Sequence, residues 1–221
     1  MSTELRLFED TPFASAEVDL AAGTARAIYV CAGGVTVNGT MLPADEGIVS
    51  TDGLSIRVGD EGATLWRWEA VSAGVPPTLI DGRGALRLAA AISGDRISDS
   101  LLMRLDSVAF PPGGCAFLHT HQGPGIRCLR EGTIRIDTDG RSASYGPGGA
   151  WFEAGPEPVF AQADEKQPSR FIRAMVLPRT LMGASSIRYV NEADQAKPKS
   201  QTYRVWAEAP IELPLAVGTG A

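Results

Sequence analysis

Short apolar runs separated by glycine and proline are the feature that most limits the fold of this chain. Its 221 residues include 25 glycines and 15 prolines, which separate runs rich in Val, Ile, Leu, Phe and Thr. Several runs alternate apolar with polar side chains, as in Thr133-Ile134-Arg135-Ile136-Asp137, and such alternation places one face of a strand against a core. Extended helical periodicity is scarce. The pattern predicts an antiparallel, all-β protein.

The predicted strands occur in both halves of the chain. They are Ile28–Cys31, Val35–Asn38, Leu54–Val58, Thr64–Val71, Leu101–Phe110, Ile126–Leu129, Thr133–Asp137, Arg170–Leu177 and a last strand at Thr202–Ala207. The run Ala85–Ile92 could be a short helix or a strand, and the segment Ser72–Ser100 around it is expected to connect the two halves. Strands of this kind need a second sheet, or closure of their own sheet, to bury the apolar face.

Composition and charge exclude several function classes. Hydrophobic residues make up 44% of the chain and charged residues 21%, which is ordinary for a globular protein. No apolar run reaches the roughly 18 to 20 residues of a bilayer span, and residues 1–6 lack the pattern of a secretory signal. The net charge of −6, without a Lys and Arg cluster, disfavours nucleic acid. We therefore expect a cytoplasmic protein with no membrane and no nucleic-acid partner.

Three cysteines form neither a disulfide framework nor a zinc motif. Cys31, Cys115 and Cys128 are an odd number and show no CxxC spacing. Such thiols are expected to stay reduced, although two of them flank the histidines in sequence and a ligand or redox role stays open.

The two halves of the chain show a weak internal repeat. Gly47–Gly53 matches Gly149–Gly155 in the spacing of its glycines, and Tyr29–Gly33 resembles Arg127–Gly132. We expect one domain at 1–98, including a linker, and a second domain at 99–221. The tail after Pro178 could pack on the first half or on a second subunit.

The only two histidines stand one residue apart. His119 and His121 follow the turn Pro111–Gly114. Residues i and i+2 of a strand point to the same face, and neutral imidazole is the commonest metal ligand. The two side chains could converge on a metal ion, or they could be barrel histidines that only make hydrogen bonds.

This segment resembles the first motif of the cupin superfamily, which reads Gly, five residues, His-x-His, three or four residues, Glu, six residues, Gly. The matching residues are Gly113, His119, His121 and Gly132. The resemblance covers residues 101–178 well and 1–71 through the internal repeat. It implies two tandem cupin-type jelly-roll β-barrels, a bicupin with a degenerate N-terminal barrel. Gly125 stands where the family has a glutamate ligand, and Pro158 stands where it has a third histidine.

Two charged residues could rebuild the site. Glu153 could complete a set of two histidines and one carboxylate for Fe, Zn, Mn or Ni, with an oxygen added by Gln122, or it could be a solvated rim residue. Arg127 follows Gly125 by two residues and therefore shares its face of the strand. A buried guanidinium needs a partner, which could be Glu153, Asp106 or an anionic ligand bound by two hydrogen bonds.

The resemblance implies a metal-dependent enzyme, and an Arg127 that faces the ligand would make the substrate a small carboxylate compound. Its metal ligands would be His119, His121 and Glu153, with Arg127 and Glu153 as catalytic residues. The pocket would be formed by Arg127, Phe117, Gln122 and Trp151, although each aromatic could equally be a core residue. Cupins include dioxygenases, isomerases, decarboxylases and hydrolases, and the fold does not select among them.

The alternative is a non-catalytic module that binds or senses a small anion at a depleted metal site. Open strand edges also favour a homodimer.

Overall fold

The computed structural model describes residues 3–92 and 100–213 of the chain. These residues contain seventeen strands, two short 3-10 turns and one helix. The strands of the first half are β1 (Thr3–Asp10), β2 (Glu17–Leu20), β3 (Ala25–Val37), β4 (Thr40–Pro43), β5 (Gly47–Ser50), β6 (Leu54–Ser72) and β7 (Gly84–Ile92). The others are β8 (Leu101–Phe110), β9 (Cys115–His121), β10 (Gly125–Glu131), β11 (Ile134–Thr138), β12 (Arg141–Tyr145), β13 (Ala150–Glu153), β14 (Val159–Ala163), β15 (Ser169–Pro178), β16 (Ile187–Tyr189) and β17 (Thr202–Ile211). The 3-10 turns are Ile80–Gly82 and Arg179–Leu181, and the helix is α1 (Glu192–Ala196).

The chain divides into two compact units. The first comprises Met1–Met103 with Trp206–Ala221, and the second comprises Arg104–Val205. The domain boundary predicted between residues 98 and 99 lies outside the described residues and stays a prediction. The tail does contact the first half of its own chain, because Trp206 Nε1 donates a hydrogen bond to the Asp45 carbonyl at 3.0 Å.

The first unit is built on one antiparallel sheet of seven described strands. Its order is β4-β3-β6-β1-β7, with β2 paired to β6 and β5 paired to β3. The run Ala85–Ile92 belongs to strand β7, which pairs with β1 and ends the sheet. The prediction that left helix and strand open is therefore resolved in favour of a strand, because pairing with β1 supplies hydrogen bonds that a short helix would have to form alone.

Two pairs of predicted strands merge into longer strands in the first unit. Strand β6 runs without a break through 54–72, and β3 runs through 25–37 with register shifts on either side of Gly33. Gly33 has φ of +72°, and a Cβ atom there would lie 2.1 Å from the Gly62 carbonyl oxygen. Glycine is required at this bulge, which lets one strand bend around the core.

The second unit packs two antiparallel five-stranded sheets on each other. Their orders are β13-β10-β15-β8-β17 and β12-β11-β14-β9-β16. One apolar cluster joins them, with members Val108, Phe110, Ala116, Leu129, Ile134, Ile136, Trp151, Val159, Ala161, Ala163 and Phe171. Since both sheets contribute to this cluster, the unit is a closed sandwich of the jelly-roll type.

The internal repeat is visible in the backbone at matching glycines. Gly132, the counterpart of Gly33, has φ of +75°, and a Cβ atom there would lie 2.1 Å from the Pro168 carbonyl oxygen. The same close approach of two strands therefore requires glycine in both halves. In the part of the chain that the structure describes, no helix has the length and hydropathy needed to cross a bilayer.

Candidate functional site

A β-bulge in strand β9 directs both histidines into the core of the second unit. Ala116 pairs with Ala161, and His119 pairs with Val159, so the two intervening residues of β9 oppose one residue of β14. The extra residue places Ala116 and His119 on the same inward face. Both imidazoles are buried, with exposures of 5% for His119 and 6% for His121.

The bulge turns Phe117 away from that face. Its ring lies 4.8 Å from Lys197 Nζ and 5.7 Å from Lys199 Nζ, and two ammonium groups over an aromatic ring form a cation–π contact at the surface. Phe117, which was expected to form part of the pocket, is therefore directed away from the side of β9 that carries the histidines.

The hydrogen bonds of His119 fix its tautomer. Its Nδ1 lies 2.7 Å from the Phe117 carbonyl oxygen, which can only accept a hydrogen bond. The Nδ1 atom of the neutral ring therefore carries the proton, and Nε2 has a free lone pair. A backbone carbonyl that holds the second nitrogen of a histidine is also the usual support of a metal-ligating imidazole.

His121 carries its proton on the opposite nitrogen. Its Nε2 lies 3.2 Å from His119 Nε2 and 3.5 Å from Glu153 Oε2. Since both neighbours are acceptors, the neutral ring of His121 donates from Nε2. Its Nδ1 then accepts from the Ser186 hydroxyl at 3.4 Å.

Pairing of strands β10 and β13 brings Glu153 inward. Gly125 lies opposite Glu153 in this pairing, and Glu153 is 8% exposed. Trp151 Nε1 donates to Glu153 Oε1 at 2.8 Å, and Arg127 Nη2 lies 2.7 Å from Glu153 Oε2. Glu153 is therefore an interior residue held by an indole and a guanidinium, and the rim alternative is excluded.

Arg127 is fully buried and only partly bonded. Its Nη1 donates to the Gly125 carbonyl at 2.7 Å, and its exposure is 0%. Among the described residues, Nε, Nη2 and Glu153 Oε2 have no hydrogen-bond partner. The 2.7 Å contact between Nη2 and Oε2 is thus an ion pair without a directed hydrogen bond. The Nε donor of the guanidinium therefore stays available for a hydrogen-bond acceptor.

A second buried arginine lies beside the first. Arg173 is directly opposite Arg127 in the pairing of β10 with β15. Its Nε and Nη2 donate to the two carboxylate oxygens of Asp106 at 2.6 and 3.1 Å. Arg173 is absent from the site that the sequence predicts, although an arginine in the apolar run Arg170–Leu177 was a usable signal. Asp106 pairs with Arg173 rather than with Arg127.

The electrostatic setting keeps both imidazoles neutral. Burial lowers the pKa of His119, although the Phe117 carbonyl and the Glu153 carboxylate raise it. Burial lowers the pKa of His121 well below its ordinary value, and the charges of Arg127 and Arg173 lower it further. Burial also lowers the pKa of Arg127 to about 10 against the attraction of Glu153. Arg127 therefore remains a cation at neutral pH.

A small cavity lies between these polar groups and the apolar core. The space open to the centre of a water molecule is about 20 Å³, which is room for about one water. Its lining residues are Val108, Phe110, Ala116, His119, His121, Arg127, Ile136, Glu153, Val159, Ala161, Phe171, Arg173, Ile187 and Tyr203. Tyr203 is 50% exposed, so it stands where the cavity meets solvent.

Comparison with known proteins identifies the fold. An oxalate decarboxylase from Lactobacillus farciminis, solved as a formate complex, is similar with a TM-score of 0.63 at 11% identity, over 88% of this chain and 82% of that one. The oxalate decarboxylase of Bacillus subtilis, whose Mn(II) centres have been studied, gives 0.58 at 11% identity, over 89% and 73%. AerE from Microcystis aeruginosa gives 0.54 at 12% identity, over 80% and 88%.

The chain has the cupin fold. The resemblance seen in the His119 segment is confirmed at the level of the fold, and so is the all-β, two-barrel fold class. No protein-family model and no curated protein matches the sequence.

Two predicted pocket residues of this cupin-fold chain lie away from the cavity lining. Gln122 Oε1 accepts a hydrogen bond from Arg188 Nη2, so its amide is directed to a surface partner. Trp151 is packed between Tyr145 and Phe171, with ring centroids 4.8 and 5.2 Å away. Trp151 acts on the site through its hydrogen bond to Glu153.

The side chains of the cupin site do not fit a resident divalent metal in this arrangement. Throughout 3–92 and 100–213, no three His, Cys, Asp or Glu side chains form a metal-binding group. The Arg127 guanidinium already lies against Glu153, the one carboxylate near the imidazoles. Arg127 with Glu153 and Arg173 with Asp106 are two neutral pairs, so a divalent ion would bring two uncompensated charges into a buried site. The metal site predicted from the motif stays a prediction.

Proposed function

We propose that the second barrel binds a small carboxylate anion at Arg127. The observation that carries this proposal is the buried guanidinium edge beside a cavity that Arg127 lines, where Nε has no hydrogen-bond partner among the described residues and Nη2 has only its ion pair with Glu153. A carboxylate is the anion whose two oxygens match such an edge. An unsatisfied buried donor is costly, and a bound carboxylate would remove that cost.

The surroundings of the edge support a monoanion with a short apolar group. Arg127 and Arg173 are each paired with one carboxylate, so the guest is favoured by the unused Nε donor of Arg127 and not by a net positive charge. The opposite wall consists of apolar side chains such as Val108, Ile136 and Phe171. A space of about 20 Å³ limits the guest to very few atoms unless Tyr203 or Glu153 moves. Formate and acetate are therefore the first probes.

Calorimetric titration with formate and acetate tests the proposal. We expect saturable binding of one anion per chain to the wild type. Arg127→Met should weaken binding by more than about tenfold, because hydrogen bonds to a charged group are worth about 1.5–3 kcal/mol. Arg135→Met is the matched control, since Arg135 is 48% exposed in the same unit and pairs with Asp137. Absence of saturable binding to the wild type, or equal affinity in Arg127→Met, would refute it.

A metal-dependent enzyme is the second candidate function. The observation that favours it is the imidazole pair, whose Nε2 atoms lie 3.2 Å apart. The Phe117 carbonyl oxygen also accepts a hydrogen bond from Nδ1 of His119. This function requires Arg127 to release Glu153. Metal analysis of protein purified without a histidine tag separates the candidates, because a resident cofactor would be present at about one equivalent per chain. The proposed anion site predicts less than about a tenth of that.

A further inference from the structure

Three ligand-type atoms lie close together in the second unit, with His121 Nε2 near the other two. His119 Nε2 and His121 Nε2 are 3.2 Å apart, and His121 Nε2 is 3.5 Å from Glu153 Oε2. Two atoms that each lie about 2.1 Å from one ion at a tetrahedral angle are about 3.4 Å apart. The two separations are close to this spacing, yet no three such side chains among the described residues form a metal-binding group.

Arg127 supplies the positive charge at this point. Its Nη2 lies 2.7 Å from Glu153 Oε2, the oxygen that also approaches His121. Among charged neighbours, Arg127 is the strongest influence that lowers the pKa of His121. A divalent cation would meet that same charge in a buried setting with little screening.

The guanidinium of Arg127 lies beside Gly125, the position where the cupin motif has a glutamate. A Cβ atom at Gly125 would lie 3.1 Å from Arg127 Nη1 and 2.7 Å from the Ala174 carbonyl oxygen. Arg127 Nη1 also donates to the Gly125 carbonyl. The guanidinium is therefore packed close to the position where a side chain at residue 125 would begin, and that side chain would also meet the Ala174 carbonyl oxygen.

We propose that Arg127 is a built-in substitute for a bound cation, and that its charge is what keeps a divalent metal out of the site. Removing the guanidinium frees Glu153, so His119, His121 and Glu153 become a latent metal site. The proposal does not depend on the anion proposed above, because it concerns the charge beside Glu153 and not a guest at the Nε edge.

Cobalt binding to Arg127→Met tests this inference. Co²⁺ is added to the full chain, excess metal is removed, and the retained metal and the visible absorption of Co²⁺ are measured. We expect about one equivalent in Arg127→Met and less than about a tenth in the wild type. Arg127→Lys, which keeps a positive charge, should retain as little as the wild type. Arg127→Met combined with His121→Gln should also retain little, because it removes a ligand.

The outcome is decisive in either direction. Stoichiometric Co²⁺ in the wild type would overturn the inference, and so would a folded Arg127→Met variant that retains none. Because a lone buried Glu153 destabilises the fold, Arg127→Gln provides a second variant, in which an amide can still donate to the carboxylate. We expect Co²⁺ to raise the Tm of Arg127→Met and of Arg127→Gln, and to leave the Tm of the wild type unchanged. A Tm that does not respond in either neutral variant would count equally against the latent site.

Discussion

Each of the two units buries an arginine held by an aspartate, and the strand residue opposite that arginine differs between them. In the first unit, Arg67 donates to Asp10 at 2.7 and 3.1 Å, and the β3 residue opposite Arg67 is Ile28. In the second unit, Arg173 donates to Asp106, and the β10 residue opposite Arg173 is Arg127. The second unit therefore adds one buried cation where the first has an aliphatic side chain.

The buried arginine of the first unit also has a more complete set of hydrogen bonds than Arg127 of the second unit. Arg67 also donates to the Thr78 carbonyl at 2.7 Å and pairs with Glu69 at 2.6 Å, while Asp10 accepts from the Ile80 amide. Among the described residues, no side-chain atom of Arg67 or Asp10 is buried without a hydrogen bond, whereas Arg127 and Glu153 have three such atoms. A fully bonded buried network stabilises one structure, while an incompletely bonded one can accept a guest. Of these two buried arginine networks, the one in the second unit is therefore the one able to accept a guest.

The largest expected effect concerns the shared arginine–aspartate pairs. Asp10 accepts three hydrogen bonds, from Arg67 Nε, Arg67 Nη2 and the Ile80 amide, whereas Asp106 accepts two from Arg173. Removal of one partner from a buried pair leaves an uncompensated charge, so we expect losses of about 5 kcal/mol for Asp10→Ala and about 3 kcal/mol for Asp106→Ala. Urea denaturation measures both free energies of unfolding. A larger loss for Asp106→Ala would break the comparison.

The next effect comes from making the second unit resemble the first. Arg127→Ile introduces the residue type found at Ile28 and leaves the Glu153 carboxylate alone, which should cost about 3 kcal/mol. Adding Glu153→Leu removes that charge, and replacement of a whole buried pair by apolar side chains is often neutral. We expect the double variant to recover most of the loss in urea denaturation. Equal loss in the single and double variants would show that packing, and not charge, holds Arg127 in place.

A smaller effect is expected at the two tryptophans that donate to glutamates. Trp151 Nε1 bonds to Glu153, whose side chain is 7% exposed. Trp66 Nε1 bonds at 3.2 Å to Glu9, whose side chain is 31% exposed. Loss of a donor to a buried acceptor costs about 1–3 kcal/mol, so Trp151→Phe should destabilise more than Trp66→Phe. Thermal unfolding of the two variants in parallel checks the order, and the reverse order would contradict it.

The smallest effect is a pH dependence that arises in the second unit alone, since the chain has no other histidines. The pKa values of His119 and His121 are lowered in the folded state. Below the unfolded value of about 6.5, the unfolded chain binds protons that the folded chain does not. The free energy of unfolding should be constant above that pH and fall by on the order of 1 kcal/mol over the next unit down. Denaturation of His119→Gln/His121→Gln at matched pH values should show a weaker dependence, and an unchanged slope would contradict the assignment.

Much of the fold follows from local sequence patterns. The alternation around Thr133–Asp137 and the long apolar run of Leu101–Phe110 predict strands that the structure contains as β11 and β8. The break predicted between Leu54–Val58 and Thr64–Val71 is wrong, because glycines inside β6 let one strand bend and continue. Alternation of apolar and polar residues predicts which side chains face the core. It does not predict whether two neighbouring runs belong to one continuous strand.

The candidate site shows the same division. The spacing of His119 and His121 and the strand phase of Arg127 are properties of the chain itself, and the sequence alone was enough to put these three residues together. Alternation fails at Phe117, because the bulge in β9 appears only when that strand pairs with β14. Arg173 could not be assigned either, because its place opposite Arg127 depends on the register of β15.

The sequence by itself determined an all-β chain with a repeated glycine pattern, one histidine pair and a buried arginine that needed a partner. Periodicity and residue chemistry are local, so they can be read along the chain. Three facts required the tertiary structure: the partner is Glu153, the guanidinium Nε has no hydrogen-bond partner among the described residues, and Glu153 also lies near the His121 imidazole. Those facts depend on distances between strands that are far apart in sequence, and such distances are fixed by packing and register rather than by any single segment.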